Sequence, residues 1–448
     1  MSGARPAAGA PHPCTQGDAA PTGAVSSSDR ANRIGRRHVF FFSGFDPKGA
    51  AYYHRLYKDG AEAQQAATGD HYRVGPRERT DDRLVQHWQV ESRAAGAAAG
   101  GPGAGEGNGT VFTDLEFLAW DDLVRAQWPK GVLGMAAGSV LAYLAALSSG
   151  MALVRVWKET PRTLVALAYP AVFWLLALIG ALLLGAGAAA LVSARGAGSV
   201  PRDILAWLLG ATVCLGFWWC ALWLERQLHT SWLLRIYRFA DLWARQRLPD
   251  LDQRLDAMAA RVFRRVQARD SDEVLLVGFS VGSMLAASVL ARVLQKCRQH
   301  GDAADMAAAE RMLALLTLGQ CVPLLGLMPQ AQVFRQELAV LASATGLCWT
   351  DYSAPGDWGS FALVDPLRIC RVAPPGKPAL APRMLSPRFH TLFAPQDYAL
   401  LKRDKRRLHL QYLMAAPLAG DYDYFRLTAG PARLGAESRL AASTTIPL

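Results

Sequence analysis

The chain has 448 residues, of which 51% are hydrophobic and 19% are charged, and its formal net charge is +11. This composition is more apolar than that of most soluble proteins and indicates membrane segments. The positive charge is compatible with nucleic-acid binding, but the sequence carries no helix-turn-helix, zinc-finger or RNA-binding signature. Basic residues that flank membrane segments explain the excess, so we expect a lipid bilayer as a partner and no nucleic acid.

The chain contains seven cysteines. They form no C-x-x-C pair, and an odd, scattered set argues against a disulfide framework and suits a reducing compartment. The sequence also lacks the ligand spacing of a metal site, so we expect neither a metal nor a cofactor.

The first part of the chain predicts a tail followed by the start of an α/β domain. Residues 1–37 are rich in Ala, Gly, Pro and Ser and lack an apolar core of signal-peptide length, which predicts a disordered tail. The first half of the domain is expected over 38–128. Its elements are a buried strand within 38–47 that ends at a glycine turn, a helix over about 50–67, strand-like segments at 71–92 and 111–117, and a helix around 121–128.

Residues 129–226 contain three uncharged runs. The second, over 164–192, is long enough to span a bilayer with some tilt, and Pro170 is placed to kink it. The third, over 204–224, is rich in tryptophan and also has spanning length. The first, over 131–154, is dominated by Ala, Gly and Ser and gains less from lipid, so we expect an interfacial or re-entrant segment there.

The number of crossings follows from the domain that surrounds these runs. If the strands before and after them belong to one sheet, both halves lie on the same side of the membrane, which two spans allow and three do not. The loop between the spans holds only Arg195 and Arg202, whereas more basic residues flank the pair: Lys130, Arg155, Lys158, Arg162, Arg226, Arg235 and Arg238. The positive-inside rule therefore predicts a two-span protein of the inner (cytoplasmic) membrane whose domain faces the cytoplasm.

The second half of the domain is expected over 227–448. The pattern predicts an amphipathic helix at 251–266, strands at 274–277, 313–319 and 346–352, a helix at 330–344 and a late helix over 395–414. Strands alternating with helices indicate a largely parallel sheet. The expected fold class is therefore α/β, with a largely parallel sheet interrupted by a membrane-spanning helical hairpin.

One motif in this half carries chemistry. Residues 278–282 read G-x-S-x-G, with Ser280 at the centre, between a buried strand and a helix. In that context the glycines leave room for a strained turn that presents the Ser280 hydroxyl, and the N–H of Val281 can face a developing oxyanion. The alternative is a glycine–serine turn at a strand end with no chemistry.

In this motif and its setting the chain resembles the α/β-hydrolase superfamily of serine hydrolases, as a membrane-anchored, lipase- or esterase-like member of bacterial type. The resemblance covers the chain outside the tail and the membrane insert. The chain departs from the family at the membrane insert and at Phe279, where hydrolases often carry a polar residue. In the family, the turn after an early strand supplies a second oxyanion N–H, which implies Phe45 in the turn at 44–46; an ordinary strand-to-helix loop is the alternative.

The resemblance also implies an acid and a histidine that follow the serine in that order. His390, on a loop before the late helix, is the expected general base, and His409 is the alternative because a residue inside a helix is less easily aimed. Asp357, after a Pro-Gly turn past a strand end, is expected to orient the histidine and stabilise the imidazolium. Asp351, inside that strand, is the alternative acid.

These residues predict a membrane-anchored serine hydrolase that cleaves an ester or thioester of a small-molecule or lipid acyl substrate. Two alternatives stay open, because a fold does not determine a function. An acyltransferase would use the same triad with a different acceptor, and a non-catalytic scaffold of a membrane complex would use the fold alone.

Overall fold

The computed structural model of the protein describes residues 32–80, 84–95, 109–127, 150–194, 199–228, 230–373 and 379–436. Its described strands form one mixed sheet in the order β2-β4-β5-β1-β6-β7-β8-β9, with β3 paired to β4. The strands are β1 (Arg36–Phe42), β2 (His71–Val74), β3 (Glu78–Arg79), β4 (Val85–Arg93), β5 (Thr110–Leu118), β6 (Glu273–Phe279), β7 (Leu313–Leu318), β8 (Cys348–Tyr352) and β9 (Arg383–Leu385). In sheet order, every pair from β5 to β9 is parallel, and the antiparallel pairs are β2 with β4, β3 with β4 and β4 with β5. The predicted α/β class and largely parallel sheet are confirmed.

Apolar side chains on both faces of the central strands account for the parallel sheet, since such sheets are covered on both sides. Alternate residues of β1 and β6 enter two separate cores: Phe40, Phe42, Val274 and Leu276 on one face, and Val39, Phe41, Leu275 and Val277 on the other. β1 pairs directly with β6, with Val39 opposite Leu275. The segments before and after the apolar runs therefore belong to one sheet.

Helices cover both faces of this sheet. The helices of the described residues are α1 (Ala50–Thr68), α2 (Asp121–Ala126), α3 (Gly150–Glu159), α4 (Pro161–Ser193), α5 (Val200–Leu228), α6 (Thr230–Ala244), α7 (Pro249–Ala268), α8 (Gly282–His300), α9 (Ala303–Met312), α10 (Val322–Gly326), α11 (Gln332–Ala342), α12 (Pro366–Ile369), α13 (Pro395–Arg403), α14 (Lys405–Leu410) and α15 (Tyr424–Ala429). α6, α7, α8 and α11 pack on one face, whereas α1, α14 and α15 pack on the other.

Two helices, α4 and α5, are long and apolar enough to cross a membrane. α4 has 33 residues and hence a length of about 50 Å, which exceeds the ~30 Å hydrocarbon core of a bilayer. Both helices extend beyond the predicted spans at 164–192 and 204–224, and their outward side chains are mostly large and apolar. The predicted interfacial segment at 131–154 lies outside the described residues except for its last five, which fall in α3.

The late helix differs from the prediction. A single helix over 395–414 is wrong, because the chain breaks into α13, α14 and a 3₁₀ turn at Gln411–Leu413. The break is at Asp404, whose carboxylate accepts a hydrogen bond from the Arg407 N–H and caps α14. An aspartate is a favoured N-cap, so this residue starts a new helix instead of continuing the old one.

A buried ion pair attaches the C-terminal segment to the start of the two central strands. Arg37 on β1 lies 2.7 Å from Glu273 on β6, and both side chains are almost fully buried. Arg37 also donates to the carbonyls of Gly430 and Ala432, and Glu273 accepts from the N–H of Leu434. Each charge therefore has several partners, which a buried ion pair needs if it is to be tolerated.

Removing one member of this pair leaves the other charge buried and unpaired. We expect Arg37→Met to lower the free energy of unfolding by about 3–5 kcal/mol. The double variant Arg37→Met with Glu273→Gln should lower it by less, because the glutamine amide is neutral and can still accept the hydrogen bond from the Leu434 N–H. Thermal unfolding of the detergent-solubilised protein measures both. Arg36→Met, at an exposed neighbouring arginine, is the control, and an equal loss in the two single variants would contradict the role of the pair.

Candidate active site

Ser280 occupies a sharp turn between β6 and α8. Its φ is +55°, in the left-handed region that side chains other than glycine seldom adopt. The turn is held by hydrogen bonds from the Ser280 N–H to the Leu318 carbonyl, at 2.9 Å, and from the Ser283 hydroxyl to the Ser280 carbonyl, at 2.5 Å. Strain of this kind persists only where surrounding structure enforces it, and it concentrates at functional sites.

Glycines allow the loop after β1 to pack directly against this turn. A β-carbon built on Gly282 would lie 2.2 Å from the carbonyl oxygen of Phe42, and one built on Gly44 would lie 3.2 Å from the β-carbon of Ser280. A larger residue at 282 would therefore push the ends of β1 and β6 apart. The approach brings Gly44 and the adjacent Phe45 next to the serine.

The two predicted oxyanion donors lie on either side of this contact. Val281 is the N-cap of α8, and the first N–H groups of a helix have no partner within the helix and favour negative charge. Phe45 follows Gly44, and its ring packs against those of Trp120 and Phe239. Its carbonyl accepts a hydrogen bond from the indole N–H of Trp232 at 3.1 Å. Both residues are buried beside Ser280.

Asp357 forms the centre of a buried hydrogen-bonded group. Its Oδ2 lies 2.8 Å from His409 Nδ1 and accepts from the Tyr412 hydroxyl at 3.1 Å, and its Oδ1 accepts from the Gly359 N–H at 3.0 Å. Burial alone would raise the pKa of Asp357, but the charge and hydrogen bond of His409, with these other donors, lower it below the usual value. The carboxylate is therefore ionised at neutral pH and can orient an imidazole.

His409 is placed by α14 with one ring nitrogen unused. Nδ1 faces Asp357, whereas Nε2 is buried and, among the residues that the structure describes, has no hydrogen-bond partner. The imidazole lies against the ring of Phe279, the residue before Ser280, with 5.0 Å between ring centroids. The imidazole therefore packs against the residue that directly precedes Ser280.

His390, the base expected from the sequence, is placed differently. It lies in the 3₁₀ turn Phe389–Thr391, is exposed, and faces the ring of Tyr398 at 6.2 Å between centroids. The partner of Asp357 is His409, the residue that the sequence analysis kept as the alternative. The break at Asp404 explains the difference, because it gives His409 a short helix of its own whose direction is independent of α13.

Asp351, the alternative acid, belongs to a separate group of hydroxyls. It accepts from Thr317 at 2.7 Å and from Ser353 at 2.6 Å, and burial raises its pKa to about 7. Two hydroxyl donors satisfy it inside β8, as expected for a structural residue.

A thiol connects the serine to the loop at 353–365 between β8 and α12, which carries Asp357 and which we call the acid loop. Cys321 Sγ lies 3.9 Å from Ser280 Oγ and 3.4 Å from the carbonyl oxygen of Gly359. Burial raises the pKa of Cys321 to about 12, so the thiol stays protonated and does not compete as a nucleophile. Ser280 as a whole residue is only 3% exposed.

Two of these residues were not identified from the sequence. Tyr412 follows His409 by three positions, which is a shared-face spacing, but the signal needs the helix break to be known first. Cys321 carries no motif at all and reaches Ser280 only through the pairing of β6 with β7.

Within the described part of the chain, no group of His, Cys, Asp and Glu side chains could hold a metal ion. Comparison of the chain with models of protein families, with curated proteins and with solved structures finds no match.

Proposed function

We propose that this protein is a membrane-anchored serine hydrolase that cleaves an ester or thioester of a lipophilic acyl substrate. Ser280 would be the nucleophile, His409 the general base and Asp357 the residue that orients it. The observation that carries the proposal is the buried Asp357–His409 hydrogen bond next to a serine held at a strained strand-to-helix turn. The order Ser, Asp, His along the chain is also that of the α/β-hydrolases.

The first half of the proposed reaction forms an acyl-enzyme. Ser280 Oγ attacks the carbonyl carbon of the ester while His409 Nε2 takes the hydroxyl proton. Asp357 holds the imidazole with Nδ1 protonated and stabilises the imidazolium that results. When the tetrahedral intermediate collapses, the alcohol leaves with the proton from His409, and the acyl group stays on Ser280.

The second half returns the free enzyme. Water attacks the acyl carbonyl, His409 takes one of its protons, and the carboxylic acid leaves as Ser280 regains its hydroxyl hydrogen from His409. In both halves the N–H groups of Val281 and Phe45 would donate to the oxyanion. Such preorganised donors contribute about 10²–10³-fold each to the rate.

The apolar hairpin supports a lipophilic substrate and a membrane location. Large apolar side chains along α4 and α5 are exposed, such as Leu183 and Trp219. A protein that presented such a surface to water would aggregate. We propose that both helices cross the inner (cytoplasmic) membrane with the hydrolase domain in the cytoplasm. Trp358 and Leu363, which follow Asp357 in the acid loop, are also exposed and suit contact with an acyl chain.

A non-catalytic scaffold is the second candidate, and the burial of Ser280 favours it. Because Ser280 is only 3% exposed, a substrate reaches its hydroxyl only after a segment above it moves. The proposals differ in one property, namely whether Ser280 reacts with an electrophile that labels activated serines.

Ser280→Ala separates these two candidates. We expect a fluorophosphonate probe to label wild-type protein in membranes and to leave Ser280→Ala unlabelled, with ester hydrolysis at least about 10⁴-fold slower because the nucleophile is lost. Ser288→Ala removes a buried hydroxyl from α8, the helix that follows Ser280, and is the matched control. Equal labelling of the wild type and Ser280→Ala, or no labelling of either, would refute the catalytic proposal.

The two histidines give opposite expectations. His409→Gln should retain folding, since its amide can still donate to Asp357, but should lose about 10⁴-fold or more in kcat because it accepts no proton. His390→Gln, at an exposed position, should keep kcat within about 2-fold. Steady-state hydrolysis of a short-chain nitrophenyl ester measures both variants, and a loss in His390→Gln alone would return the role of base to that residue.

The proposed topology has its own test. Reporters that work on only one side of a membrane, placed after Arg125, Ala197 and Leu448, should show the first and last on the cytoplasmic side and the middle one outside. The two ends must agree because β1 and β6 share one sheet. First and last reporters on opposite faces would exclude two spans.

A further inference from the structure

The two ends of the apolar hairpin contact the two loops of the candidate site. At the entry end, Thr163 in the first turn of α4 donates to the carbonyl of Ser360 at 3.0 Å. Ser360 lies in the acid loop, and its hydroxyl donates to the carbonyl of Asp357 at 3.2 Å. Both Thr163 and Ser360 are buried. The start of α4 is thus two hydrogen bonds away from the backbone of the residue that orients His409.

At the exit end, α6 follows α5 after one residue and contacts the other loop. Its Trp232 donates from the indole N–H to the carbonyl of Phe45 at 3.1 Å. Phe45 is the residue whose own N–H would face the oxyanion, and its neighbour Gly44 abuts Ser280. Fixing the Phe45 carbonyl restricts the backbone dihedrals that aim this N–H.

Further bonds fix these two ends relative to each other. The Tyr237 hydroxyl on α6 donates to the carbonyl of Ala166 on α4 at 3.2 Å, and Tyr169 on α4 lies 3.0 Å from the Thr230 hydroxyl. The ends of the hairpin therefore form one connected unit. This unit touches the acid loop on one side and, on the other, the loop at 43–49 that holds Phe45, which we call the oxyanion loop.

We propose that Thr163 and Trp232 are positioning residues through which the seated hairpin sets the acid loop and the oxyanion loop, so that turnover depends on these two contacts. This inference rests on the proposed hydrolase function. Neither residue touches the substrate; each acts through a backbone carbonyl of a site loop. A donor displaced by about 1 Å loses up to about 10²-fold in rate, so the effect belongs in kcat and not in KM.

The test uses the full-length protein in lipid nanodiscs and a short, water-soluble nitrophenyl ester, so that delivery of substrate through the bilayer has no influence. We expect Trp232→Phe, which keeps an aromatic ring but loses the N–H, to lower kcat by about 10- to 100-fold with KM within about 2-fold. Thr163→Val, which is isosteric, should lower kcat by about 10-fold, and Thr163→Ser should restore it.

Matched controls make the same chemical changes elsewhere, one in the same helix as Trp232 and one in the other helix of the hairpin. Trp243→Phe alters a tryptophan of α6 that packs on Phe239 and Phe334, and Thr212→Val removes a hydroxyl of α5 that donates only to Leu208 within its own helix. Both should keep kcat within about 2-fold. Thermal midpoints of all variants are measured in parallel.

Each outcome has a defined meaning. A kcat loss in Trp232→Phe and Thr163→Val at unchanged thermal midpoints, with Thr163→Ser active, supports the positioning role. Equal kcat in these variants and the controls, or a loss that follows the thermal midpoints, overturns it while Ser280-dependent turnover of the wild type leaves the hydrolase function intact. Absence of Ser280-dependent turnover in the wild type overturns both.

Discussion

The parallel pairing of β1 with β6 is the constraint on which the candidate site depends. These strands are more than 200 residues apart in the chain, yet their register places Phe42 opposite Gly278. That register brings the loop after β1 against the Ser280 turn, where backbone atoms leave no room for a β-carbon at 282 and the β-carbon of Ser280 leaves little room for one at 44. A shift by one residue would reverse the faces of β1 and move the loop away from the serine. The positions of Ser280, of the loop that holds Phe45 and of the chain ends that enter and leave the hairpin therefore all depend on the register between β1 and β6.

Features encoded over short distances could be predicted from the sequence. The buried strand, the strained serine and the following helix are local, and so are the apolar runs and the alternation of strand and helix. The strands around Val39, Val274 and Leu313 and the amphipathic helix before β6 lie where the patterns indicate. The prediction of Asp357 as the acid uses a local signal too, because a Pro-Gly turn before it marks the end of a strand.

The partner of Asp357 was not predictable in the same way, because the choice between two histidines is a question of tertiary structure. The argument against His409 assumed one continuous late helix, and the cap at Asp404 removes that assumption. Aspartate is common both inside and at the start of helices, so the sequence alone does not show that a second helix begins there. Tyr412, which donates to the same carboxylate, depends on the same break.

The position of the hairpin gives the proposed substrate class a physical basis. Its ends contact loops that follow β1 and β8, and the carboxyl ends of parallel strands lie at one edge of a sheet. If α4 and α5 are in a bilayer, this edge is the one nearest the lipid. Moving an acyl chain of about ten methylenes from lipid to water costs about 8 kcal/mol of free energy. A substrate that enters along the hairpin keeps its chain in an apolar environment, whereas one that approaches from the aqueous side would first have to leave the membrane. For the proposed hydrolase, this arrangement would favour substrates that already reside in the bilayer.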